Sequence, residues 1–242
     1  LVNHQRYAGD ACRRNVIDLS SNPVQKDFIF APEKHTAYYG GVGNGKTTAG
    51  IAKAYILSEG FPGNFGLIGR KSGPSLRDTT QKEFLDLVAE RNGGNLEPGP
   101  VVKQYHKAEQ KLVFTNGSVV IFRYLEEMNK ILSLNLGWFY VDQAEEVGKD
   151  VWETLLGRLR YWNPAKVAVW AEKYAEYSKE YWGVDASPRH YAFITGNPHP
   201  GWVFQTFKMK PPNDTYKLYE APSHANAKNL PEGFVESLIA SY

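Results

Sequence analysis

One cysteine, Cys12, is all that the 242 residues contain. A lone thiol excludes an internal disulfide and a cysteine-based zinc cluster, and it suits a reducing compartment. Long hydrophobic runs are missing as well, since none approaches the roughly 18 apolar residues that cross a bilayer. The opening LVNHQRYAGDACRRN has no apolar centre of the kind a secretory signal needs. Charge of one sign is scarce: 28 Lys and Arg against 26 Asp and Glu leave +2, too little to declare a nucleic-acid partner from composition. Repeats and low-complexity tracts are absent, and so is the N-K-x-D that would specify guanine. His190 and His199 flank one β-like run without a carboxylate at ligand spacing, so both read as structural. The balance, 42% apolar, is enough for a full-sized core. These features lead us to expect a soluble cytosolic protein without membrane contact.

Turn signals and apolar periodicity divide most of the chain into alternating strands and helices. HTAYY, FGLIG (65–69), GWFYVDQ (137–143) and HYAFITGN (190–197) read as buried strands. GKTTAGIAKAYILSEG, PSLRDTTQKEFLDLVAERNGG, DVWETLLGRLR and PAKVAVWAEKYAEYSKEYW read as helices, with Pro74 at a helix start. On the last of these, Trp170, Tyr174, Tyr177 and Tyr181 fall near one face, which suits packing or subunit contact better than base stacking. KLVFTNGSVVIFRYL is two β-rich runs around Asn116-Gly117, a strong hairpin signal. Such alternation predicts a mainly parallel α/β sheet covered on both faces, with the hairpin as an antiparallel addition. After KPPND the alternation thins to one strand-like run, TYKLYEAP, and a terminal helix, PEGFVESLIASY.

The chemistry concentrates at YYGGVGNGKTTAG (38–50). Gly40-x-x-x-x-Gly45-Lys46-Thr47 fits the phosphate-loop pattern, in which glycines let successive backbone N–H groups converge on phosphate oxygens. Lys46 would supply charge to the terminal phosphates and Thr47 a hydroxyl to Mg²⁺. The nucleotide-binding stretch is therefore Gly41, Val42, Gly43, Asn44, Gly45, Lys46, Thr47 and Thr48. Asp142, at the carboxyl end of a buried strand where open α/β sheets place ligands, would hold Mg²⁺ through water. Gln143 stands where ATPases with an extra strand between these two motifs carry a catalytic glutamate. A glutamine orients water but takes no proton, so Glu145 is the first candidate for the base and Glu146 the second. Thr195, Gly196 and Asn197, ending the next strand, are placed to sense the γ-phosphate. Gln25, about twenty residues before the loop, has an amide that matches the adenine edge. The expected fold is a three-layer α/β/α P-loop NTPase of the RecA-like (ASCE) kind. Residues 1–208 would form the ATPase domain, including the adenine-binding segment, and 209–242 a linker or lid.

Together these motifs resemble the ATPase domain of a tailed-bacteriophage terminase large subunit. The resemblance runs from about Pro23 onward through P-x-Q (23–25), GGVGNGKT, GRKSGPSLRDTTQKEF, FTNGSVVIF, KILSLNLGWFYVDQAEEV, VWETLLGRLR and TGNP. NAKNLPEGFVESL is similar to the segment that leads from ATPase to nuclease in that family. The resemblance implies ATP hydrolysis with Mg²⁺, driving double-stranded DNA into a procapsid. It also implies a homo-oligomeric ring, partnership with portal protein and terminase small subunit, and work in the host cytoplasm on the procapsid, not in the mature virion. The family's nuclease acids are not found here, which leads us to expect the motor segment alone. Two departures stand out. Val42 occupies a loop position where many relatives carry arginine, and Gln143 replaces the usual glutamate. An arginine acting in trans is then expected from Arg158 or Arg160, with Arg123 and Arg70 behind them. A helicase-like or repair P-loop ATPase, and a nucleotide-binding assembly module without motor activity, remain the alternatives from sequence.

Overall fold

The computed structural model describes residues 22–161 and 190–240. Eight strands form one sheet: β1 (His35–Gly40), β2 (Phe65–Arg70), β3 (Val102–His106), β4 (Lys111–Phe114), β5 (Val119–Tyr124), β6 (Trp138–Val141), β7 (Tyr191–Gly196) and β8 (Tyr216–Ala221). Their order is β3-β4-β5-β2-β6-β7-β1-β8. From β5 to β8 every neighbouring pair is parallel, while β4 runs antiparallel to both β3 and β5. The parallel α/β fold with an antiparallel addition is as the sequence predicts. The predicted aromatic helix that carries Trp170, Tyr174, Tyr177 and Tyr181 lies outside the described residues.

Alternation along the strands builds a core on each face of the sheet. On β6, Trp138 and Tyr140 enter the cluster with Phe28, Leu57, Phe84 and Phe193. Phe139 and Val141 enter the other cluster with Trp152, Leu155, Ile194 and Phe207. The helices follow this division. α1 (Pro23–Ile29), α2 (Lys46–Glu59), the short α3 (Gly73–Leu76) and α4 (Lys82–Arg91) cover the first face, and α5 (Lys149–Leu156) covers the second. Eight of the fourteen residues of α2 are buried, all round the helix, as suits an element wedged between the sheet, α1 and α4. Truncating a ring such as Trp138, fully buried here, would cost about 3–5 kcal/mol.

Three elements differ from the expectation. The helix predicted over PSLRDTTQKEFLDLVAER starts as α3, passes through a π-turn at Arg77–Gln81 and resumes as α4. β3 adds an antiparallel strand that was not predicted; its VKQYH carries two exposed polar residues and lacks the apolar alternation of a half-buried strand. β8 belongs to the main sheet, paired with β1 from His35↔Tyr216 to Gly40↔Ala221. The boundary expected between residues 208 and 209 lies between two strands of this sheet, β7 and β8.

Candidate functional site

Parallel strands aim their carboxyl ends the same way, so Gly40, Arg70, Asp142 and Gly196 arrive at one edge of the sheet. The glycine loop leaves β1 there and feeds into α2. Gly43 and Gly45 sit at φ +78° and +81°, left-handed conformations that side chains resist. Gly45 also lies against the Gln25 amide, so a Cβ would be 2.9 Å from Nε2. Asn44 is fully buried and staples the loop from below. Its Nδ2 donates to the Ala221 carbonyl at 3.0 Å, its Oδ1 accepts the Lys46 amide at 3.1 Å, and its carbonyl accepts Asn22 Nδ2 at 3.1 Å. The Asn44 side chain thus supports the loop and does not face outward with it.

The other loop residues divide by exposure. Val42 at the tip is half exposed and Thr48 is exposed, whereas Lys46 and Thr47 are partly enclosed. Lys46 Nζ rests on the Gly41 carbonyl at 3.3 Å. Burial pushes its ammonium below the ordinary value, and the carboxylates of Asp142 and Glu145 push it back up. Gln25 is buried on α1, and its Nε2 donates to the Gly45 carbonyl at 2.9 Å. One of its amide hydrogens is therefore committed to the loop, a partner that the sequence did not reveal.

Asp142 is 2% exposed and collects three hydroxyls. Thr47 Oγ1 lies 3.3 Å and Thr195 Oγ1 2.6 Å from Oδ1, while Thr80 Oγ1 donates to Oδ2 at 2.6 Å. Thr195 also shares a 2.8 Å hydrogen bond with the Tyr140 hydroxyl. Burial, reinforced by the negative charge of Asp142, raises the Tyr140 phenol well above its usual value, so it stays protonated. A carboxylate beside a threonine hydroxyl is an all-oxygen donor pair of the kind that suits Mg²⁺.

The chain reverses after β6 at Gln143, a non-glycine residue at φ +52° and ψ +54°. A short 3₁₀ turn, Ala144–Glu146, follows. This reversal brings Glu145 back over the sheet edge and leaves Glu146 exposed. Glu145 Oε1 accepts two bonds from Asn197, from the backbone N–H at 3.0 Å and from Nδ2 at 2.8 Å. Its other oxygen, Oε2, is buried with no hydrogen-bond partner among the described residues. Gly196 makes room for that oxygen, because a Cβ there would collide with it. Gln143 Oε1 is likewise buried without a partner among the described residues.

Arg158 and Arg160 are not brought to this edge. Arg158 Nη1 donates to the Leu132 carbonyl and Arg160 Nε to Asn135 Oδ1, next to where β6 begins. Arg123 bonds the Glu109 carbonyl in the β3–β4 turn. Arg70, in contrast, ends β2 beside Asp142, whose N–H donates to the Gly69 carbonyl at 3.0 Å. Sequence reasoning missed Thr80, which lies on a stretch that reads as a plain amphipathic helix. It offered 209–242 as a linker or lid without naming its contacts: Asn226 Nδ2 donates to the Gly43 carbonyl at 2.7 Å, and Leu230 and Phe234 lie beside Gly43.

No family model matches the sequence, and neither does any curated protein. Solved structures do match in fold. The large terminase of a thermophilic bacteriophage, in a complex with ADP, superposes with a TM-score of 0.62 at 14% identity, over 91% of this chain and 50% of that one. A complex of the same terminase with ATP-gamma-S gives the same TM-score at 13% identity. The large terminase ATPase domain of a Thermus phage gives a TM-score of 0.62 at 13% identity, over 91% of this chain and 90% of that one. The chain spans about half the length of the first of these terminases. It has the P-loop α/β fold of phage large terminase ATPase domains.

Proposed function

We propose that this chain is an ATP-hydrolysing motor domain that drives double-stranded viral DNA into a procapsid, as part of a terminase large subunit. The observation that carries the hydrolytic reading is Glu145: one oxygen is clamped by Asn197, and the other is buried with no hydrogen-bond partner among the described residues. The fold shared with terminase ATPase domains supports the packaging context, and the nucleotide complexes of the thermophilic-phage terminase support the substrate.

In this reading the backbone N–H groups of residues 41–47 cradle the phosphates, and Lys46 offsets the charge that develops on the transferred phosphoryl group. Thr47 and, through water, Asp142 would hold Mg²⁺, which would supply positive charge to offset that of the phosphates. Glu145 Oε2 accepts the proton of the attacking water while Asn197 fixes the carboxylate plane. Gln143, which cannot take a proton, is left to orient that water through its Oε1, which has no partner among the described residues. Thr195 reports on the phosphate end because it touches Asp142 and neighbours Asn197. Gln25 keeps one amide hydrogen and Oε1 for the adenine edge. Residues 222–240 act as a lid on the loop. Arg158 and Arg160, remote from their own site, are available to a neighbouring subunit of a ring. Double-stranded DNA, portal protein and the small subunit are the partners of this reading. The setting is the host cytoplasm, with transient docking on the procapsid.

The deciding measurement is ATP turnover with and without double-stranded DNA and portal protein, for the wild type and Lys46→Ala. The expected result is Mg²⁺-dependent hydrolysis, raised by DNA and portal and abolished by the substitution. Hydrolysis that survives Lys46→Ala would refute the phosphate-loop reading. Hydrolysis indifferent to DNA and portal would refute the motor.

A further inference from the structure

Thr80 stands 62 residues from Asp142 in sequence and is fully buried against it, with its hydroxyl 2.6 Å from Oδ2. The two oxygens of Asp142 are unequally held. Oδ1 receives Thr47 and Thr195, whereas Thr80 is the hydrogen-bond donor found on Oδ2 among the described residues. The terminal torsion of an aspartate is broad and nearly two-fold, so a carboxylate held at one oxygen swings easily. A second anchor on the far oxygen removes that freedom.

Thr80 reaches Asp142 from the π-turn at Arg77–Gln81. π-turns interrupt helices mostly as isolated bulges and occur often at functional sites. This one is pinned on its own account. Thr79, the neighbour of Thr80, donates to the Ser75 carbonyl at 2.6 Å and accepts Arg70 Nη1 at 2.6 Å. Arg70 ends β2, the strand beside β6. β2, which lies beside the strand that carries Asp142, thus also fixes the turn that delivers Thr80. On the opposite side Thr195 is held by Tyr140, whose ring stacks on Phe193 at 5.1 Å.

We propose that Thr80 is a positioning residue for metal binding: it locks the rotation of the Asp142 carboxylate so that Oδ1 stays turned toward Thr47. This rests on the reading of Thr47 and Asp142 as the Mg²⁺ side of a nucleotide site. Its signature is selective, because Thr80 acts on the metal-dependent part of nucleotide affinity and leaves the phosphate cradle alone.

The test is direct binding of a fluorescent ADP, titrated in Mg²⁺ and again in EDTA. The proteins are the wild type, Thr80→Ser, Thr80→Ala and Thr80→Val. Ser and Ala both lose the methyl group, and only Ser keeps the hydroxyl, so that pair isolates the hydrogen bond even if the Val variant folds poorly. Groups that orient metal ligands typically govern about 10–100-fold in metal affinity. The expected result is that Thr80→Ala and Thr80→Val lose about tenfold in affinity with Mg²⁺ and nothing in EDTA, with Thr80→Ser close to wild type. Equal binding by Thr80→Ser and Thr80→Ala in Mg²⁺ would overturn the inference while the metal reading stood. So would an equal loss in both buffers, which marks general damage to the pocket. A wild type that gains no affinity from Mg²⁺ would overturn the metal reading itself, and the role of Thr80 with it.

Discussion

Asp142 and Glu145 stand three residues apart, and the fold treats them in opposite ways. Asp142 is buried, with both oxygens occupied by hydroxyls from three separate elements. Glu145 is clamped at one oxygen by a single residue and has no partner at the other among the described residues. A carboxylate whose two oxygens both accept hydrogen bonds is held in one orientation. One with an oxygen that lacks a protein partner keeps a lone pair free for a hydrogen bond from water. The difference supports the proposed division between a holding and a reacting carboxylate. It also sets Glu145 apart from Glu146, which is exposed.

Removing the reacting oxygen should give the largest effect. Glu145→Gln is expected to lower ATP turnover by about 10²–10⁴-fold with nucleotide binding retained, as befits loss of a general base. Glu146→Gln, exposed, should leave turnover near wild type. If Glu146→Gln is instead the dead variant in single-turnover assays, Glu146 and not Glu145 is the base.

Loosening the clamp comes next. Asn197→Ala frees Glu145 Oε1 from Nδ2 but keeps the backbone N–H bond. Turnover should then fall about tenfold, the loss expected when a catalytic group is mispositioned and not removed. The double variant Asn197→Ala/Glu145→Gln should be no worse than Glu145→Gln alone. Additive losses would mean that Asn197 acts elsewhere.

Lys53 provides a scale for what burial does away from the chemistry. Its ammonium is enclosed, donates to the Phe28 carbonyl at 3.0 Å and lies 5.0–5.6 Å from the rings of Phe28, Tyr191 and Phe193. Burial pulls its pKa down to about 7, against the opposing charge of Glu33. An unfolded lysine keeps its proton to about pH 10.4. Between these values the unfolded chain binds more protons, so this group makes stability rise with pH and withholds that contribution below pH 7. Urea unfolding of the wild type and Lys53→Met at pH 7 and pH 9 should show the wild type gaining on the order of 2 kcal/mol relative to the variant. A pH-independent difference would place the lysine nearer its ordinary value.

The parts of this site that follow from local rules were legible in the sequence. Gly45 and Lys46 open a helix after a strand, Asp142 ends an apolar run, and Thr195-Gly196-Asn197 ends another. What escaped depends on contacts across distance. Thr80 is polar on a helix that otherwise shows an ordinary apolar face, and only the π-turn directs it inward. β8 reads as an isolated strand because its partner, β1, lies some 180 residues earlier. Gln143, the left-handed residue that sets Glu145 over the sheet edge and Glu146 in solvent, is announced by no side-chain preference. Arg158 and Arg160 were expected on the helix after the acidic motif, but Gly157 ends α5 before them and their side chains turn to residues 132–135.

The bond from Asn44 to the Ala221 carbonyl has a mechanical meaning. Ala221 is the last residue of β8, and the chain beyond it folds over the loop through Ser223, Asn226 and Phe234. Floor and roof of the glycine loop are therefore tied to one strand end, so the segment past Ala221 is anchored two peptide bonds from Lys46.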